Sequence, residues 1–165
     1  MCCRPPAAGN ASLAERMPSR SPNNPSAEAH DTTKRRSVAG GLAPGTGLLT
    51  RRPFRAPHHS VSPGALPGGG SNPRPGEISL AHNGVLFLDE APEFPRSLLE
   101  TLRQPLEDGS VTISRASGAE TFPARMLLVM SMNLCPCGKR GDPRRVCRCS
   151  EKQINNYVGK VSGPL

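Results

Sequence analysis

Two unbroken apolar runs dominate the hydrophobic pattern, Val85-Leu86-Phe87-Leu88 and Met126-Leu127-Leu128-Val129-Met130. Each has strand length and polar or turn residues at its ends, as expected of strands buried on both faces of a parallel sheet. The first follows Asn83-Gly84 and ends in Asp89-Glu90; the second ends in Ser131-Met132-Asn133. Between them, Leu98, Leu99, Leu102 and Leu106 recur at helical spacing after Pro95, with Pro105 breaking the helix near its end. Val111-Thr112-Ile113 and Glu120-Thr121-Phe122 flank an Ala116-Ser117-Gly118 turn, which predicts a β-hairpin with Arg115 near its tip. Two buried strands joined through a helix require a right-handed parallel crossover, so the fold class is α/β. The polar segment from Ser150 to Lys160 reads as one further helix.

The remaining pattern is weaker. Residues 1–36 are rich in Ala, Ser, Pro, Asn and charge without a hydrophobic period, and read as a disordered leader. From Ser37 to Gly76, short apolar pieces are broken by Gly and Pro, which predicts turns and loops. Composition points the same way: with 19 Pro, 17 Gly, no Trp and 35% hydrophobic residues, the chain can close a small core and not a large one. No apolar run approaches the roughly 18 residues that cross a bilayer, and the start lacks a secretory signal. The expected setting is the cytoplasm, with no membrane partner. A net charge of +8 favours polyanions, nucleic acid among them, by attraction alone.

Candidate chemistry gathers at the strand ends. An apolar run closed by two acids has the form of a Walker B element, in which Asp89 would orient magnesium and Glu90 would polarise an attacking water. A strand that merely ends in acids is the plainer alternative. Asn133, closing the next strand, stands where a polar side chain senses a γ-phosphate, which favours the nucleotide reading. The phosphate-binding half is missing: Gly41 to Thr50 has glycines, but Leu48 stands where Gly-x-x-x-x-Gly-Lys-Ser/Thr needs its Lys.

Cys135-x-Cys137 and Cys147-x-Cys149 bring four soft ligands into one loop, suited to tetrahedral Zn2+; a redox or incidental cluster is the alternative. Lys139, Arg140, Arg144, Arg145 and Arg148 surround them with Asp142 opposing, suiting either a phosphate backbone or a solvated basic loop. Arg115 on the hairpin tip fits a nucleic-acid contact or plain solvation. Adjacent His58 and His59 are expected to diverge, and so not to share a metal.

In order, these residues closely resemble the magnesium-chelatase-like AAA+ ATPases of the ComM/YifB group of competence-associated proteins. The resemblance covers Ser37 to Leu165 and is carried by Arg52-Pro53-Phe54-Arg55-Ala56-Pro57-His58-His59, by Gly68 to His82, and by Gly84-Val85-Leu86-Phe87-Leu88-Asp89-Glu90. It continues through Leu102 to Gly109 and through Met132-Asn133-x-Cys135-Pro136-Cys137-Gly138. It implies a partial AAA+ P-loop NTPase module at 37–165 after the leader, with Asp89 and Glu90 as Walker B, Asn133 as sensor 1 and the 110–123 hairpin as a pore-facing insertion. ATP and Mg2+ as cofactors, a homo-hexamer, and ATP-driven movement on DNA, including branch migration in natural transformation, follow from the same resemblance. The pattern departs from the family in lacking a P-loop before Ser37 and an arginine finger, and the chain reads as a fragment. Because a finger alone contributes roughly 10³–10⁵ in rate, the isolated chain is expected not to hydrolyse ATP. The rival expectation is a small zinc-stabilised nucleic-acid-binding module, with Arg115, Arg140, Arg144 and Arg145 meeting the phosphates.

Overall fold

A computed structural model of the chain describes residues 2–3, 10–43, 45–70, 74–115 and 118–165. In chain order its elements begin with β1 (Cys2–Cys3), α1 (Asn10–Glu15), α2 (Met17–Arg20), α3 (Ser26–Val38), β2 (Phe54–Arg55), β3 (Gly68–Gly69), β4 (Arg74–Pro75) and α4 (Glu77–Leu80). There follow β5 (Val85–Leu88), a 3-10 turn (Ala91–Glu93), α5 (Arg96–Glu100), α6 (Arg103–Asp108), β6 (Ser110–Arg115), β7 (Gly118–Pro123), β8 (Leu127–Met132) and α7 (Glu151–Ser162).

The main sheet has the order β1-β8-β5-β2, with every pairing parallel. All four residues of β5 are buried, which is why this strand carries no polar position: side chains on both faces meet protein. Its entry is tight. Gly84 donates its N–H to the Ala81 carbonyl, and a Cβ at this position would collide with the Pro53 backbone. β8 runs beside β5 in the register Val85↔Leu127 to Leu88↔Met130. Its outer neighbour β1 covers only Ser131 and Met132, so Leu127 at the open end is 53% exposed.

Leu66, Ile78, Leu86, Leu88, Phe94, Leu98, Leu99 and Leu102 form the core between this sheet and the helices, with Val111 from the hairpin and Val161 from α7. The leucine pattern that predicts one helix gives two. The chain turns at Thr101 and Leu102, and Pro105 falls in the first turn of α6, where its missing N–H would have no intrahelical partner anyway. The hairpin pairs Ser110↔Pro123 through Arg115↔Gly118, with its tip residues 116–117 outside the described residues.

The expected disordered leader is corrected over residues 10–36, which carry α1, α2 and most of α3. α3 has little amphipathic character, yet Ala29 and Thr32 are buried beneath it. Polar contacts hold it in place of an apolar stripe. Arg52 donates from Nε to the Pro22 carbonyl at 3.0 Å and from Nη1 to the Asn83 carbonyl at 2.8 Å, and it pairs with Glu28 at 3.2 Å. Asn24 donates its backbone N–H to the Thr50 carbonyl, and Leu49 its own to the Thr33 hydroxyl. Specific hydrogen bonds of this kind leave no periodic signal in a sequence. The loop region 37–76 likewise contains the short strands β2, β3 and β4, and Arg55 of β2 is tied to Glu77 at the start of α4 through two bonds of 2.6 Å.

Candidate nucleotide site and thiolate centre

The parallel sheet brings together the ends of β5 and β8. Ser131, buried in β8, donates its hydroxyl to Asp89 Oδ1, and the Glu90 backbone N–H reaches both Ser131 Oγ at 3.2 Å and Asp89 Oδ1 at 3.1 Å. These bonds hold Glu90 in the left-handed region at φ +52, an uncommon conformation for a residue with a side chain and one that concentrates at functional sites. Asp89 and Glu90 are both exposed residues at the rim of the sheet.

Asn133 follows β8 directly, and the phenol of Tyr157 on α7 faces its backbone and side chain. Burial pushes the Tyr157 phenol up from its ordinary pKa, with Asn133 pulling the other way and the charges of Glu93 and Glu90 adding to the rise. Glu90 and Asn133 therefore both act on the same phenol, one through its charge and one through its polar groups. The helix presents it through a regular face: Ile154, Tyr157 and Val161 are its buried residues, and Ser150 with Gln153 forms a reciprocal cap at its start. The spacing of those three residues was a usable signal for the ring's position; the partnership of Ser131 with Asp89 had none.

Beside β8 stand β1 and α1, and α1 packs on β8. Strand, connection and helix in this order are also the elements that flank the motif Gly-x-x-x-x-Gly-Lys-Ser/Thr. The connection, residues 4–9, lies outside the described residues, but its sequence can be read. Arg4-Pro5-Pro6-Ala7-Ala8-Gly9-Asn10-Ala11 has the spacing of Gly-x-x-x-x-Gly-Lys-Ser/Thr, with Gly9 kept, Arg4 for the first Gly, Asn10 for Lys and Ala11 for Ser/Thr. Asn10 carries no charge for a phosphate and Ala11 no oxygen for magnesium, so these residues do not fit ATP–Mg2+. Gly9 behind two prolines was the sequence signal that would have found this spacing.

Cys135, Cys137, Cys147 and Cys149 place their sulfurs within 4.8 Å of one another. Cys135 lies 3.4 Å from Cys137 and 3.6 Å from Cys147, and Cys137 lies 3.7 Å from Cys147. The Arg140 backbone N–H donates to Cys135 Sγ at 3.3 Å. The Lys139 backbone N–H, followed by the neighbouring thiols of Cys149 and Cys135, brings Cys137 down to about 6. Cys149 is pushed up to about 12, first by its thiol bond to Cys137.

Of the basic residues around this centre, Arg140 pairs with Glu151 at 3.5 Å, a partner the sequence pattern did not offer, and Arg145 with Asp142 at 3.8 Å. Arg144 is exposed. The backbone of Arg115 ends β6, and its side chain lies outside the described part. His58 and His59 do not diverge: their rings sit 4.0 Å apart, with His58 Nδ1 at 2.8 Å from Ser60 Oγ. Among the described residues no helix is long and apolar enough to cross a membrane.

The family model described as magnesium chelatase, subunit ChlI, matches residues 1–165, including the leader that sequence pattern set apart. Over 166 residues the chain is 48% identical to the uncharacterized protein Rv2897c of Mycobacterium tuberculosis, covering 100% of this chain and 33% of that protein. It is 48% identical to the competence protein ComM of Haemophilus influenzae over 161 residues, 98% of this chain and 31% of ComM. With the uncharacterized protein YifB of Escherichia coli it shares 52% identity over 116 residues, 70% of this chain and 22% of YifB. The chain thus spans about a third of the length of the first two relatives. A cryo-EM-based structure of the complex between subunits BchI and BchD of magnesium chelatase shares the fold, with a TM-score of 0.60 at 17% identity over 97% of this chain and 57% of that one.

Proposed function

Since the chain belongs to the magnesium chelatase, subunit ChlI, family, we propose that it carries the AAA+ module of a ComM/YifB-type DNA motor in a form that does not itself hydrolyse ATP. One observation carries this reading: the acids after β5 are tied to the end of β8, which Asn133 follows, while the connection from β1 to α1 has Asn10 and Ala11 where the motif needs Lys and Ser/Thr. ATP and Mg2+ are the family's cofactors. Phosphoryl transfer depends on positioned charge around the phosphates. With neutral Asn10 and Ala11 at the phosphate end, Asp89 and Glu90 have no gripped triphosphate to act on.

The name of the Haemophilus relative points to competence, and ATP-driven movement on DNA, including branch migration during natural transformation, is the role the ComM/YifB resemblance implies for the full-length protein. The BchI–BchD complex supports an oligomeric setting, a homo-hexamer in full-length relatives, in which this chain would contribute surface and sensor residues but not turnover. The cytoplasm is the matching compartment. The test is ATP turnover by the purified chain beside its Glu90→Gln variant. Equal, background rates are expected, and a rate in the unaltered chain that Glu90→Gln abolishes overturns the reading.

A second reading, a zinc-stabilised nucleic-acid-binding module without ATPase activity, is favoured by the basic concavity that Lys139, Arg145 and Arg148 line beside Cys137 and Cys149. Salt-dependent DNA binding that disappears on Arg144→Ala/Arg145→Ala and on chelation would select it.

A further inference from the structure

We infer that Cys135, Cys137, Cys147 and Cys149 bind one Zn2+ as a tetrahedral tetrathiolate, and that this metal fixes the end of β8, with Asn133, against α7. The inference stands apart from the nucleotide reading and needs neither ATP nor DNA.

Geometry selects a single ion. Thiolates at about 2.3 Å from a tetrahedral Zn2+ lie about 3.8 Å from one another. The three sulfur separations of 3.4, 3.6 and 3.7 Å are close to that edge and well beyond a disulfide bond of about 2.05 Å. An iron–sulfur cube, with each cysteine on a separate iron, needs its sulfurs further apart than the 4.8 Å that bounds this group.

The surroundings suit the charge. Four thiolates on Zn2+ leave a net charge of minus two, and the protons displaced from the thiols go to solvent. The backbone N–H of Arg140 already points at Cys135, as outer partners of thiolate ligands do. Lys139, Arg145 and Arg148 line the adjoining surface and offset the negative charge.

The fold also gives such a tie a place. From Asn133 to Ser150 the chain has no helix or strand, and Cys135 is its one buried residue. A connection of this length without secondary structure is uncommon in a compact domain and is usually a functional segment. The staple lies between two elements of the candidate site: Cys135 is two residues beyond Asn133, and Cys149 is two residues before α7, whose Tyr157 faces Asn133. Fixing both ends of the loop fixes that contact.

Tyr157 is the only tyrosine in a chain without tryptophan, so its fluorescence reports the contact directly. The experiment uses the full chain, with metal content by mass spectrometry and Co2+ as a spectroscopic probe. One equivalent of zinc is expected, and Co2+ should give the intense visible and near-ultraviolet bands of a tetrahedral tetrathiolate. Cys147→Ser/Cys149→Ser should weaken the metal by more than the roughly 10–100-fold that loss of an outer partner costs. If that variant does not fold, Cys149→His, which keeps a ligand, should retain Co2+ with bands shifted toward mixed sulfur–nitrogen ligation. Chelation should change Tyr157 emission and open residues 133–150 to trypsin. Zinc below a tenth of an equivalent, iron in its place, or Co2+ bands unchanged in both variants overturns the metal site. Bound zinc whose removal leaves Tyr157 emission unchanged overturns its role in fixing Asn133.

Discussion

Ser131 donates its hydroxyl to Asp89, tying the ends of the two central parallel strands side chain to side chain. Ser131→Ala removes this bond and the one from Glu90 N–H, but Asp89 is exposed and rehydrates, and Glu90 N–H keeps Asp89 Oδ1. The expected loss is therefore the net value of a hydrogen bond, about 1 kcal/mol, and not the larger penalty of an orphaned buried group. Urea denaturation measures it.

Arg52 is the main polar anchor of α3, reaching Pro22, Asn83 and Glu28 from one guanidinium. Its side chain is 23% exposed, which tempers the charged contacts, and Arg52→Ala should cost about 1–2 kcal/mol. Amide hydrogen exchange should quicken in residues 26–38 and stay slow in β5. Arg52→Lys should recover only part of the loss, because one ammonium cannot replace the Nε and Nη1 bonds together. Uniform loosening of the whole chain would contradict this assignment.

His82 is buried and accepts the Arg125 backbone N–H on Nδ1. Burial, then the charge of Arg35, lowers its pKa below the ordinary 6.5, with Asp31 opposing and Arg125 adding. The unfolded chain therefore binds the proton more readily than the folded one, so stability is fully present above pH 6.5 and is lost as pH falls below it. The melting temperature should drop between pH 7 and pH 5 more steeply in the unaltered chain than in His82→Gln. Parallel slopes would show that His82 does not contribute.

Two glycines should respond in opposite directions. At Gly84 a Cβ meets the Pro53 carbonyl, so Gly84→Ala should destabilise by about 1–3 kcal/mol. Gly159 lies within α7 with nothing near the added Cβ, so Gly159→Ala should stabilise by about 0.5–1 kcal/mol. Thermal denaturation of both variants separates the two effects.

The central strands were legible because burial on both faces leaves an unbroken apolar run, as in Val85 to Leu88 and in β8. The hairpin was legible from alternation, and α7 from its polar character after the cysteine loop. The first 38 residues were not, because α3 is held by Arg52, Asn24 and Thr33 rather than by an apolar face, and β1 is only two residues long. The acids, Asn133 and the four cysteines were readable as residue types. The bonds that place them, from Ser131 to Asp89 and Glu90, are long-range contacts between polar residues without a period. The motif spacing at residues 4–11 was hard to see because Arg4, Asn10 and Ala11 stand where its defining residues would be.

Restoring those residues tests whether the nucleotide grip is absent from the unaltered chain. Calorimetric titration with MgATP should show no saturable binding to the unaltered chain, and saturable binding to the Arg4→Gly/Asn10→Lys/Ala11→Thr variant, which regains the motif. Saturable binding by the unaltered chain that Asp89→Asn removes would contradict the claim that the acids survive here without a phosphate grip.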